Sequence, residues 1–209
     1  MKSRIGYLAT GLFALTLIGC SAGPQAIPGP EQQRESAMEK RQRLCPWCMN
    51  EPEVEGSNMH FVGISKVYAA EQGARTDAMR NATRAVVLYI GSTMKVKMEE
   101  ARVSHGLSSD AIDPVGVTRE FERQLAQSIV NRQKAIKWYV EREDTATGRG
   151  YKYFVLTRIA KQSIDNPFQE FAKQKKKEAA AKARQQKMED QATAAAKMWD
   201  DLMKQGVVE

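Results

Sequence analysis

Few side chains in this 209-residue sequence could move electrons or hold a metal: it carries three cysteines and two histidines. Cys45 and Cys48 bracket Pro46-Trp47 in a Cys-x-x-Cys spacing. Catalytic redox at such a pair needs a low-pKa thiolate, usually at a helix N-terminus that follows a strand. Here a charged segment precedes the pair and the turn-like Asn50-Glu51-Pro52 follows it, which points to a structural disulfide or to inert thiols. A metal half-site of this kind lacks two further ligands, because His60 and His105 belong to separate elements, so neither a metal nor a cofactor is expected. No nucleophile motif, nucleotide-binding glycine loop or paired-carboxylate signature stands out, and no catalytic residue is assigned.

Cys20 stands in a different setting. It closes the run Leu17-Ile18-Gly19-Cys20, behind a positive start with Lys2 and Arg4 and an apolar stretch from Ile5 to Ile18. That stretch is too short to cross a bilayer comfortably and reads as a processing signal. Its last four residues resemble a bacterial lipobox, in which the cysteine thiol takes a lipid and the chain is cut just before it. Two or more acyl chains would hold the protein to a membrane far more firmly than one. Ser21 follows where inner-membrane retention signals usually carry Asp, so the expected destination is the outer membrane, facing the periplasm. In that compartment Cys20 is consumed by lipid and Cys45 and Cys48 remain as a pair, which favours a bridge between them. The sequence is basic, with a net charge of +7, and Lys173, Lys175, Lys176 and Lys177 form a compact run. The run reads as a solvated helix face. Its anionic alternatives past a lipobox are lipid phosphates and cell-wall polymers, not nucleic acid.

The elements that must position these residues follow from composition and periodicity. With 42% apolar and 27% charged residues the chain can bury a core, and no apolar run reaches the roughly 18 residues of a membrane span. Residues 1–19 are the signal, and residues 20–44 are a Pro/Gly-rich then charged tether. Met59 to Val67 reads as a strand. Ala69 to Ile90 follows as a helix with an alanine-rich stripe, stopped by Gly91. Thr93 to His105 alternates Met94, Val96 and Met98 against Lys95, Lys97 and Glu99, which predicts a strand buried on one face. Val117 to Asn131 is helical. Ala135 to Arg142 and Tyr151 to Lys161 alternate again, joined by a glycine-containing hairpin loop. The order β-α-β-α-β-β predicts an α+β domain over residues 45–165: a small mixed or antiparallel sheet with helices on one face. Residues 166–209 form a long C-terminal helical tail, which Phe168 and Phe171 dock at its start. Lys173 to Gln186 has no continuous apolar face. Met188, Ala192, Ala195, Trp199 and Leu202 then make a short heptad-like seam, too weak to stand alone. The seam predicts completion by another chain, with Met188, Trp199 and Leu202 as the contact and Trp199 as the anchor.

The stretch Cys45 to Val67 and the helix after it resemble the twenty-kilodalton bacterial outer-membrane lipoprotein family. Pro46-Trp47, Asn50-Glu51-Pro52, the strand Phe61 to Ser65 and the pair Ala74-Arg75 take the family's places, and Trp138-Tyr139 with Tyr151 to Leu156 look like its closing strand pair. The cysteines flanking Pro46-Trp47 and the long tail depart from that pattern. The resemblance implies a lipid-anchored, non-enzymatic component of the cell envelope with no catalytic motif to carry over. Related domains occur in lipoproteins that build outer-membrane rings around flagellar motors, which implies an assembly role. The expected partners are therefore the membrane, through the lipid on Cys20, and an envelope protein or a second copy of the chain. No small-molecule substrate is indicated. Two other classes remain open: a periplasmic binding module for cell-wall or surface polymers, and a thiol-redox accessory protein using Cys45 and Cys48.

Overall fold

The computed structural model describes residues 38–108, 111–146, 148–186 and 189–208. Along them run a helix over residues 38–44 (α1), a 3-10 turn at Pro46–Met49, strands β1 (Glu53–Glu55) and β2 (Asn58–Ile64), and helices α2 (Glu71–Ser104) and α3 (Pro114–Ile129). Strands β3 (Lys134–Thr145) and β4 (Gly148–Ala160) follow, then helices α4 (Gln162–Gln186) and α5 (Glu189–Gln205). The fold is α+β: four antiparallel strands in the order β1-β2-β4-β3, with the long helices on one face and the chain closing in helix.

The longest element explains the arrangement. Ala74, Ala78, Ala82, Val86, Ile90, Met94 and Met98 recur at intervals of four, and all are buried along the 34 residues of α2. Four residues advance about 400°, so a stripe with this spacing drifts about 40° per step and winds around the helix. The alanines of the first half face the sheet, clustered with Tyr153 and Val155. The larger residues of the second half have turned to another core, built with Phe121, Leu125 and Ile129 of α3 and with α4 and α5. Small side chains let the first half approach closely. Gly63 of β2 lies directly beneath, and a Cβ there would meet the Ala78 carbonyl oxygen and sit 2.7 Å from the Ala82 Cβ.

Residues 93–104, expected as a strand after a helix stop at Gly91, are instead the second half of α2. Met94 and Met98 fit a period of two and a period of four alike. Ile90 before them extends the four-residue series, while Val96, the middle member of the apparent alternation, is 56% exposed. Gly91 is buried in the helix where α3 crosses, and a Cβ on it would run into the Glu122 side chain. Its lack of a side chain therefore serves packing, not termination.

The C-terminal region also differs from expectation. It is a hairpin of two helices, not one long tail, and it belongs to the same compact unit as the sheet, so no boundary falls near residue 165. Trp199 is 1% exposed and meets Phe171 edge-on at 6.3 Å between ring centroids. Met198, Leu202 and Val207 are buried with it, in the core that holds Met94 and Met98. The seam is thus completed by the chain's own α2, α3 and α4, whose apolar residues share one buried cluster with it. Met188 lies outside the described residues. Gln169 Nε2 donates to the Met203 carbonyl at 2.6 Å, and the Val207 N–H reaches Asp165 Oδ1 at 3.4 Å, which ties the two ends of the hairpin together.

Two substitutions test this packing by chemical denaturation. Trp199→Ala should cost about 3–5 kcal/mol, as for a large aromatic removed from a core. Gly63→Ala should cost about 1–3 kcal/mol through overpacking against α2. If Trp199→Ala left stability unchanged, the seam could not be part of this core.

Candidate functional site

Three of the reactive side chains that sequence singled out, Cys45, Cys48 and His60, gather on the sheet face away from α2. Residues adjacent along β4 point to opposite faces. Val155 meets the alanines of α2, while Phe154 meets Cys45 and Cys48. The 3-10 turn brings the two sulfurs together as a Cys45–Cys48 disulfide, with the Cys48 N–H donating to the Cys45 carbonyl at 3.0 Å. Cys45 is fully buried and Cys48 is 3% exposed, beneath the half-buried rings of Trp47 and Tyr139. This position offers little access to an external thiol, and the packing of both side chains on Phe154 holds the N-terminal turn against the strands.

Arg41 on α1 reinforces that cap. Its Nε and Nη2 donate to the two carboxylate oxygens of Glu141 on β3, at 2.7 and 2.8 Å, and its guanidinium lies 5.0 Å from the Phe154 ring centroid. A bidentate pair of this kind fixes direction as well as charge. Hydrogen bonding to Glu141 raises the Arg41 pKa above its ordinary value, outweighing the lowering by burial. Burial pushes the neighbouring Tyr139 phenol up, with the Glu141 carboxylate adding to the effect. Beside the cap lies a cleft of about 310 Å³, with Trp47, Glu51, Glu55, His60, Lys137 and Leu156 among its walls. His60 is half-buried on the strand face, with Nδ1 3.7 Å from Glu55 Oε2. Among the described residues no group of three or more His, Cys, Asp or Glu side chains is placed to hold a metal ion.

A second polar group sits on the α2 face of the same strands. Tyr153 donates its hydroxyl to Glu71 Oε2 at 2.7 Å and accepts from Arg75 Nη2 at 3.4 Å. The Arg75 guanidinium lies 4.9 Å from the Tyr153 ring centroid and 5.7 Å from that of Trp138. The Tyr153 hydrogen bond, with the Glu71 carboxylate adding to it, holds Arg75 above its usual pKa. Both groups flank β3, which ends the sheet and has no described strand on its outer side.

The other residues named from sequence fall elsewhere. Cys20 precedes the described residues. Trp199 and Leu202 are in the core, and His105 closes α2 with Nε2 3.3 Å from Asp201 Oδ2. The basic run on α4 is largely matched within the chain. Lys173 pairs with Glu170, Lys175 with Glu120 and Glu178, and Lys176 with Asp200. Burial lowers the Lys175 pKa, but hydrogen bonds to Glu120 and Glu178 more than offset it. Arg41 and Arg75 were not legible as site residues, because each works through a partner about 80–100 positions away. Compared with protein-family models, curated proteins and solved structures, the chain matches none.

The cap predicts a modest stabilisation. Replacing Cys45 and Cys48 together by Ser should lower unfolding free energy by about 1–2 kcal/mol, since so short a loop restricts the unfolded chain little. Arg41→Ala in that background should lower it further, read by thermal and urea unfolding. A loss of biological role with stability intact would instead mark the pair as redox-active.

Proposed function

We propose that the chain is a lipid-anchored, non-enzymatic structural or assembly component of the bacterial cell envelope, held at the outer membrane by acylation of Cys20. The observation that carries this reading is the spacing Leu17-Ile18-Gly19-Cys20 behind a short apolar stretch and the positive residues Lys2 and Arg4. The family resemblance of the Pro46-Trp47 turn, the Phe61 to Ser65 strand and the Ala74-Arg75 helix supports the same setting.

The geometry supports it over the two other classes. A thiol-redox role needs a sulfur that a substrate can reach, and Cys45 and Cys48 are buried under Trp47 and Tyr139. A polymer-binding role needs free cations, and Lys173, Lys175 and Lys176 are engaged by carboxylates of their own chain. An anchored domain whose large apolar side chains lie mostly inward, and whose twelve-residue strand β3 lies on a sheet edge, suits association with other proteins.

The anchor is tested by metabolic labelling. The wild-type chain should incorporate labelled fatty acid and fractionate with outer membrane. Cys20→Ser should abolish the label and leave the precursor uncut by the lipoprotein route. Label retained in Cys20→Ser, with unchanged fractionation, would overturn the reading.

A further inference from the structure

We propose that the chain pairs with a second copy of itself through β3, edge to edge and antiparallel, joining two four-stranded sheets into one. The proposal rests on the assembly reading above, for which it names the partner, and it is independent of the lipid anchor.

The two edges of the sheet differ in kind. β1 has three residues, whereas β3 has twelve. β3 is hydrogen-bonded on one side to β4, and among the described residues no strand lies on its other side. A long free edge is a template for another strand, and proteins usually blunt it with charge, bulges or a covering element. β3 carries a bulge between Ala135 and Lys137, which breaks regular pairing at the start of the strand and leaves the part beyond it free. The charges in that part are unevenly placed, with Lys137 at one end and Glu141, Glu143 and Asp144 towards the other, interrupted by Arg142. A parallel, in-register copy would set like charge against like. An antiparallel copy sets opposite charges together, as a twofold interface requires of a self-complementary patch.

One register satisfies every constraint. In an antiparallel pair whose twofold axis is perpendicular to the sheet, opposed residues lie on the same face, which restricts the strand to alternate registers. With Val140 opposite its own copy, Lys137 faces Glu143, Trp138 faces Arg142, and Tyr139 faces Glu141. Lys137 and Glu143 lie on the outer face with Tyr139, while Trp138, Val140 and Arg142 lie on the α2 face. The pairing therefore joins an ion pair, an aromatic ring with a guanidinium and a central apolar pair, and it stops just short of the bulge. Moving the copy by one permitted step in one direction sets Glu141 against Glu141. The opposite step leaves only residues 137–141 paired before the bulge at Ile136 is reached, against residues 137–143 in the favoured register. Trp138 is 38% exposed, so its ring has surface available to a partner.

The test uses the full chain in mild detergent, with mass read by sedimentation over a range of concentrations. A concentration-dependent dimer is expected. Lys137→Glu alone and Glu143→Lys alone should each weaken it about tenfold, because two symmetry-related pairs become repulsive, and the double exchange should restore it. Both positions are exposed, so these variants should retain wild-type unfolding behaviour. Under mild oxidation V140C should cross-link to its own copy far faster than V130C, which lies beyond the end of α3 at an exposed position. A monomer at all concentrations, a dimer indifferent to either single reversal, or equal cross-linking of V140C and V130C would overturn the proposal. None of these results depends on acyl labelling of Cys20, so a failed anchor and a failed pairing remain distinguishable.

Discussion

A helix of 34 residues is about 50 Å long, while the strands beneath it, the seven residues of β2 and the thirteen of β4, extend about 23 and 43 Å, so α2 outruns the sheet it lies on. The rest of the structure answers that mismatch. Where α2 crosses the strands it presents alanine, and Gly63 lets the backbones approach. Further along it presents Val86, Ile90, Met94 and Met98, which share a core with Met59, Phe61 and Ile159 of the strands and need additional partners. α3 supplies Phe121, Leu125 and Ile129, and the α4–α5 hairpin supplies Phe168, Phe171 and Trp199. The C-terminal helices are therefore not an appendage. Without them the far half of α2 would expose a stripe of large apolar side chains to water, at about 25 cal/mol for each Å² uncovered.

The opposite face of the sheet is closed by a different device. A few residues of α1 and one 3-10 turn are too short to bury much apolar area, so covalent and ionic constraints take its place. The Cys45–Cys48 bridge fixes the turn, Phe154 fills the space beneath, and Arg41 clasps Glu141. Buried polar groups join the layers from within. Thr157 donates to the Phe61 carbonyl at 3.0 Å and accepts from Gln133 Nε2 at 2.6 Å, and Gln133 Oε1 in turn accepts from Thr83 of α2 at 2.8 Å. This chain satisfies groups that would otherwise be costly at the junction of helix and sheet.

What could be read from the sequence follows the same physics. The alternation of β4 and the four-residue spacing of the alanines each match one period, and both elements form there, although α2 continues past the expected stop at Gly91. Met94, Val96 and Met98 match two periods, and local pattern alone could not choose between them. The choice is made by tertiary packing, because Met94 and Met98 meet α3 and α5 whereas Val96 meets solvent. Trp199 was recognisable as an anchor from its size and spacing, but not its partner, because Phe171 lies 28 positions away across a helical turn-back. Arg41 gave no local signal, and Arg75 showed only its place in the Ala74-Arg75 pair and its i,i+4 spacing from Glu71. Their roles exist only once strands β3 and β4 place Glu141 and Tyr153 beside them.

With so much of the apolar material committed to the interior, the kind of association left to this domain is constrained. Trp199 and Leu202 are already engaged, and the exposed apolar residues Leu88, Val96 and Val103 stand apart along the outside of α2, separated by polar positions. Scattered side chains of this kind are normal on a protein surface and do not make a tight interface. A strand edge offers something different, namely directional backbone hydrogen bonds with modest side-chain pairs and little apolar burial. Such contacts are weak between freely diffusing molecules and become effective when the partners are held close together. Anchoring two copies to one surface would supply that closeness without any new contact. On this reasoning the proposed anchor at Cys20 and the proposed pairing at β3 would be complementary, since the first would raise local concentration and the second would set register and direction.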